Sequence, residues 1–175
     1  SGRIYRQPAR SGLATSVTPA FGACAAPVLS PGGEWLLFIR SYEGQDTLEI
    51  VDAAGQFWPQ KLASGADFYM QPVWHPEANQ IAWIEWNHPN MPWDGTRLRL
   101  GELRRSPGCL PVLDRAETIA GDENTAIFQP EFSPDGRYLA HISTTGNYTG
   151  WSTVQLTVTS IADKRERQFD VPTLN

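Results

Sequence analysis

"APVLSPGGEWLLFIRS" (residues 26–41), "QPVWHPEANQIAWIEW" (71–86) and "QPEFSPDGRYLAHIST" (129–144) align with one another without a gap. Proline recurs at their second and sixth positions, as Pro27, Pro72 and Pro130 and as Pro31, Pro76 and Pro134, at separations of 45 and then 58 residues. A period of this length marks a repeating supersecondary unit and takes precedence over any local motif.

Each repeat opens with a short extended stretch, Val28-Leu29, Val73-Trp74 or Glu131-Phe132, that runs into Pro-Gly-Gly, Pro-Glu-Ala-Asn or Pro-Asp-Gly. Proline presets φ there, and glycine or asparagine tolerates positive φ, so each is a turn. Trp35–Ile39, Ile81–Ile84 and Tyr138–Ile142 follow as hydrophobic runs bounded by turns, which read as strands buried on both faces. Trp83 and, as its counterparts, Leu36 and Leu139 are therefore expected in inter-sheet cores.

Third strands follow in "TLEIVDAAG", "TRLRLGEL" and "TVQLTVTSI", which alternate apolar with polar residues. "PQKLA", "CLPVLD" and "RQFDV" are shorter and more polar, as outer edges should be. Four antiparallel strands in about 45 residues make a β-propeller blade. "RIYRQPA" and "ATSVTP" add the outer half of a preceding blade. The expected fold is all-β: a partial propeller of about three and a half blades, with a half blade at 1–20 and blades at 21–65, 66–122 and 123–175. A β-sandwich would not demand one proline register three times, and solenoid repeats are usually shorter. Such an arc is not expected to close a ring as a monomer, and self-association is one way to cover its ends.

With 14 prolines and 15 glycines spread along 175 residues, long helices are disfavoured, and 41% hydrophobic content supports a packed core. The net charge of -5 argues against nucleic acid or an anionic membrane as partner. Lys164, Arg165 and Arg167, interrupted by Glu166, read as a solvated turn. Cys24 and Cys109 read as two lone buried thiols rather than a disulfide. No apolar run reaches the length of a membrane span, and without a basic then apolar leader in this segment the cytoplasm is the expected compartment.

No metal, cofactor or catalytic triad is expected. His75 takes the turn position held by Ser30 and Ser133 in the other repeats, and His141 lies in a buried run, so both read as structural. The Asn147-Tyr148-Thr149 triplet fits the glycosylation pattern but is given no role. The candidate site is "WIEWNHPNMPWDGTRL" (83–98), a long connection between second and third strands. Pro89 and Pro92 stiffen it and Asp94-Gly95 turns it back, so His88, Asn90, Met91, Trp93 and Asp94 form a loop that loses little entropy on binding. A structural plug, a domain interface and a substrate contact all fit that property.

The stretch "LASGADFYMQPVWHPEANQIAWIEWNHPNMPWDGTRL" (62–98) resembles the propeller of the prolyl oligopeptidase family, in its acylaminoacyl-peptidase and dipeptidyl-aminopeptidase-like branch. "RIYRQ" (4–8), "SGADFY" (64–69), "HPNMPWDGT" (88–96) and "FQPEFSPDG" (128–136) match in the family's order, whereas Ser-Pro-Asp-Gly alone occurs in many propellers, the Tol-associated kind included. After "STTGNYTGW" the chain departs from the family's usual Trp-Asn-Leu-Tyr strand. The resemblance implies a non-catalytic segment of a seven- or eight-bladed propeller that caps an α/β-hydrolase domain and limits access of peptide substrates. Its catalytic serine would lie in a Gly-x-Ser-x-Gly elbow, which does not occur here, so this chain alone is expected to lack peptidase activity. The alternative is a stand-alone protein-binding module.

Overall fold

The computed structural model describes residues 2–145 and 154–170, so the Asn147–Thr149 triplet lies outside them. No helix occurs among the described residues. Strands β1 (Tyr5–Arg6) and β2 (Thr15–Ser16) form a two-stranded sheet. Blade 1 is β3 (Ala23–Leu29), β4 (Trp35–Tyr42), β5 (Gln45–Asp52) and β6 (Gln60–Ala63). Blade 2 is β7 (Phe68–Trp74), β8 (Gln80–Trp86), β9 (Arg97–Arg104) and β10 (Val112–Ala120). Blade 3 is β11 (Thr125–Phe132), β12 (Tyr138–Thr145), β13 (Val154–Ser160) and β14 (Glu166–Asp170). Every pairing is antiparallel and each blade is a meander, so the chain is a partial propeller of three and a half blades.

The first proline of each repeat lies inside the first strand rather than ahead of it. Ladder pairing skips from Ala25 to Val28, from Met70 to Val73 and from Phe128 to Glu131. The skipped pairs are Ala26-Pro27, Gln71-Pro72 and Gln129-Pro130, and the residue before each proline has positive φ, 49°, 50° and 53°. Proline has no N–H to give a ladder, and a bulge on an edge strand removes the need for one. The first strands are thus longer than the expected dipeptides. Gln71 Oε1 accepts the Gln129 N–H at 2.7 Å, so a side chain of one bulge satisfies a donor freed in the next.

The second proline opens the turn whose geometry its predecessor sets. Ser30 Oγ accepts the Trp35 N–H at 3.0 Å, and Ser133 Oγ accepts the Tyr138 N–H at 3.0 Å. His75 fills the same position with a buried ring: Nδ1 accepts the Glu77 N–H at 3.1 Å, which leaves Nε2 to donate to the Gly136 carbonyl at 3.0 Å. The imidazole also meets the Phe132 ring edge-on at 5.2 Å. One side chain thereby sets a turn in blade 2 and docks blade 3.

Alternation along the second strands gives each blade a face toward the sheet before it and another toward the sheet after it. Ile81 and Trp83 pack with Leu37, Ile39, Leu48 and Ile50 of blade 1, while Ala82 and Ile84 pack with Ile127, Phe132 and Leu139 of blade 3. Leu36 and Phe38 pack with Val17 and Ile4 of the two-stranded sheet. Trp83, Leu36 and Leu139 are all buried, as expected, but Leu36 and Leu139 are not counterparts of Trp83. Cross-strand pairing matches Trp83 with Phe38 and His141, and Leu36 with Ile81 and Leu139, a shift of two residues that keeps the face and changes the layer.

Two further expectations need correction. Cys109 is exposed and Cys24 only half-buried, because Cys109 lies in the 105–111 connection outside any strand. The outer strand of blade 2 is long, running past Leu113-Asp114 to Ala120, and its polar residues are held by ion pairs: Arg115 with Glu102 and Glu117 with Lys164, both at 2.6 Å. The Lys164–Arg167 run is solvent-exposed, as expected, but only Lys164 and Arg165 lie outside a strand: Glu166 and Arg167 open β14 and pair with Thr159 and Val158.

Trp83 is 1% exposed, donates its indole N–H to Glu85 at 2.8 Å, and lies beside Gly101, where a Cβ would press on its ring. Trp83→Ala is expected to lower stability by about 3–5 kcal/mol, read from denaturant midpoints. Burial lowers the pKa of His141 from the ordinary 6.5 to about 4. The unfolded chain then takes up a proton that the folded chain refuses, so stability is full above pH 6.5 and falls between there and about pH 4, by up to about 3 kcal/mol. His141→Phe, which restores the residue type of Phe38, should flatten that slope when neutral pH is compared with about pH 5.

Candidate functional site

The connection 87–96 leaves β8 on the propeller face that also carries 64–67 and 121–124, the two segments that lead into blades 2 and 3. Both hold it. On one side Asn87 Oδ1 accepts the Asp67 N–H, and Asp67 Oδ2 accepts the His88 N–H, each at 2.9 Å. Phe68 stacks on Trp86 with centroids 5.0 Å apart and meets the His88 ring edge-on at 4.8 Å. On the other side Asn90 Nδ2 donates to the Glu123 carbonyl at 2.8 Å, and the Thr96 N–H to that of Thr125 at 3.0 Å.

Glycine makes the second seam possible. A Cβ on Gly95 would run into the Glu123 backbone, and one on Gly121, at φ 85°, would meet the Thr96 carbonyl. Thr96 is buried between them, and its hydroxyl accepts the Ile127 N–H at 2.7 Å. Within the loop, Asp94 Oδ2 accepts the Met91 N–H at 2.8 Å and the Asp94 N–H returns to the Met91 carbonyl at 2.9 Å, closing a turn around Pro92 and Trp93. The His88–Pro89 peptide is cis.

Of the five residues singled out by sequence, Asn90 and Asp94 are therefore framework, whereas His88, Met91 and Trp93 face solvent. Met91 is 45% and Trp93 43% exposed, large apolar areas on a segment whose backbone is tied at both ends. Between the loop and the 121–124 connection lies a small polar cleft lined by Asn87, His88, Asn90, Arg97, Asp122 and Glu123. The Asp122 carboxyl is held below its usual range, first by the Asn124 N–H, and so is committed to its own turn. Arg97 pairs with Glu123 at 3.4 Å, and Glu85 with Arg99 at 2.6 Å. Among the described residues, no group in the cleft is arranged as a nucleophile with a base, so the loop offers a shaped, partly apolar surface.

Sequence reading missed Asp67, Gly121 and Glu123 as parts of this site. They stand 20 or more residues from their partners, and their only local signs are the turn composition of Gly65-Ala66-Asp67 and Gly121-Asp122.

No protein-family model matches the chain, and no curated protein does. Solved structures match closely. A puromycin-hydrolyzing peptidase of Mycobacterium tuberculosis aligns with 98% of this chain and 28% of its own, at TM-score 0.76 and 22% identity, a level that shows the fold. A puromycin hydrolase aligns with 95% of this chain and 27% of its own, at TM-score 0.71 and 29% identity. A putative TolB of Agrobacterium tumefaciens shares the fold, with TM-score 0.70 and 16% identity over 97% of this chain and 57% of its own. This chain thus spans little more than a quarter of the peptidases it matches. Blade register and these matches agree on the architecture: the chain is a partial β-propeller, similar to a segment of puromycin-hydrolyzing peptidases and to a putative TolB.

Proposed function

We propose that this chain works as a non-catalytic propeller segment of a prolyl-oligopeptidase-like serine peptidase, packing on an α/β-hydrolase domain and narrowing the approach of peptide substrates. The observation that carries this reading is the loop 87–96, which presents Met91 and Trp93 to solvent from a backbone hydrogen-bonded to both adjoining inter-blade connections. A surface fixed in advance loses little conformational entropy when a neighbour docks, and exposed Trp and Met suit the apolar centre of an interface. His88 lies beside them, held by Phe68. Chemistry would belong to the hydrolase domain, in keeping with the lack of a nucleophile elbow in this chain.

In a full-length chain with its hydrolase domain, Trp93→Ala and Met91→Ala are expected to loosen domain association, seen as faster hydrogen exchange along the contact, while the propeller stays folded. Loss of turnover with docking and folding intact would instead assign the loop to substrate contact. Gly95→Ala should act on the loop's seating rather than its outer surface, because its Cβ has no room beside Glu123. The backbone amides of Thr96 and Ile127, which close that seam, should then exchange faster. Fluorophosphonate labelling of the 175-residue chain should mark no serine, and specific labelling of one would overturn the non-catalytic reading.

A further inference from the structure

Blade 3 departs from the other two on the face it turns toward its predecessor. Strand pairing superimposes Phe38, Trp83 and His141, and opposite them Glu49, Arg99 and Thr157. Two residues further along each of these antiparallel strands, and so on opposite sides of that layer, the same face carries Arg40, Glu85 and Ser143 on the second strands and Val51, Gly101 and Thr159 on the third. Blades 1 and 2 fill this part of the face with an aromatic ring and an ion pair: Phe38 with Arg40–Glu49 at 2.5 Å, where Glu49 is buried, and Trp83 with the partly exposed Glu85–Arg99 at 2.6 Å, the charges exchanged between strands. Blade 3 has His141, Ser143 and Thr157, all buried and all smaller than their counterparts.

The opposing wall does not swell to compensate. Ile39 and Leu48 of blade 1 face the Trp83 layer, and Ile84 and Leu98 of blade 2, the same residue types in the same pairing, face the His141 layer. Two residues back on the same face, Leu37 of blade 1 becomes Ala82 in blade 2. The seam between blades 2 and 3 therefore has less side chain to fill it than the seam between blades 1 and 2. Two polar atoms in it, His141 Nδ1 and Thr159 Oγ1, have no hydrogen-bond partner among the described residues, although each residue is 2% exposed. They belong to diagonal neighbours on adjacent strands, whose Cα atoms lie about 7–8 Å apart, a span that a single bridging molecule fits.

We propose that the seam between blades 2 and 3 encloses a binding site for water, held between His141 Nδ1 and Thr159 Oγ1, with the Ser143 and Thr157 hydroxyls on the same face as further partners. Buried water characteristically satisfies two to four such groups. One imidazole beside hydroxyls falls short of the donor set a transition metal takes. An anion would find no positive charge, since desolvation keeps the imidazole neutral. An apolar ligand would leave both atoms unpaired.

The test is a high-resolution crystal structure of the 175-residue chain beside the double variant His141→Phe/Thr159→Val, which installs the residue types of Phe38 and Val51. The expected result is density for an oxygen within about 3 Å of both atoms in the unmodified chain. That density should vanish in the double variant, whose melting temperature should exceed the value obtained by adding the two single changes. A dry seam, a protein group bonded to His141 Nδ1, or density with metal or anion geometry would overturn the proposal. Wild-type density decides it by itself if the double variant does not fold.

Discussion

Ile39 paired with Leu48, and Ile84 paired with Leu98, form the same apolar wall on successive blades, and each wall is covered by the blade that follows. A four-stranded sheet with apolar residues on both faces has no stable existence by itself, because each uncovered face leaves its side chains in water. The unbroken buried runs Leu36–Ile39 and Ile81–Ile84 follow from that, since second strands have a neighbour on either side. So does the order of the chain: each connection from an outer strand must carry the next blade onto the face just made.

That stacking fixes the candidate site. The connections 64–67 and 121–124 are drawn together by the packing of blades 1, 2 and 3, and the loop 87–96 spans the gap between them. Its backbone is tied to both by Asp67 and the Glu123 carbonyl and by the close approach of Gly95 and Gly121 to neighbouring backbone. The inner strands are linked in a similar way, with Gln71 reaching from one bulge to the next. Positions near the propeller axis and on its loop face are thus coupled through hydrogen bonds between blades, while stability comes mainly from the apolar seams.

The fold was legible because turns have strong local chemistry: two prolines in register and Gly or Asn after the second reveal three hairpins without reference to anything distant. The bulges were not, since Ala26, Gln71 and Gln129 take positive φ without being the glycine or asparagine that would announce it. The layer assigned to Trp83 slipped by two residues because only alternation, which reports a face, was followed, whereas the gapless alignment of the repeats already sets Trp83 beside Phe38 and His141. At the site, the stiff loop could be read from Pro89, Pro92 and Asp94-Gly95, but its anchors could not. A hydrogen bond between His88 and Asp67 leaves no mark in either local sequence.

The open side of blade 1 shows what the inner strands contribute to each seam. Leu29, Trp74 and Phe132 end the first strands of their blades at one register position, yet Trp74 is 8% and Phe132 6% exposed while Leu29 is 53% exposed. Trp74 is covered by the turn region of blade 1, through its indole N–H to the Val28 carbonyl at 3.0 Å and its stack on Trp35; Phe132 is covered by His75 of blade 2. Leu29 faces β1 and β2, which have the character of outer strands and bring no such turn, and beside it lies a cleft lined by Ile4, Tyr5, Val17, Pro27 and Leu36. Outer strands alone still bury Phe38 and Val51, so they protect the middle of a seam and leave its axial end open. Closure near the axis is therefore the work of the first hairpin of the preceding blade, which explains why the prolines that shape that hairpin are the most regular feature of the sequence.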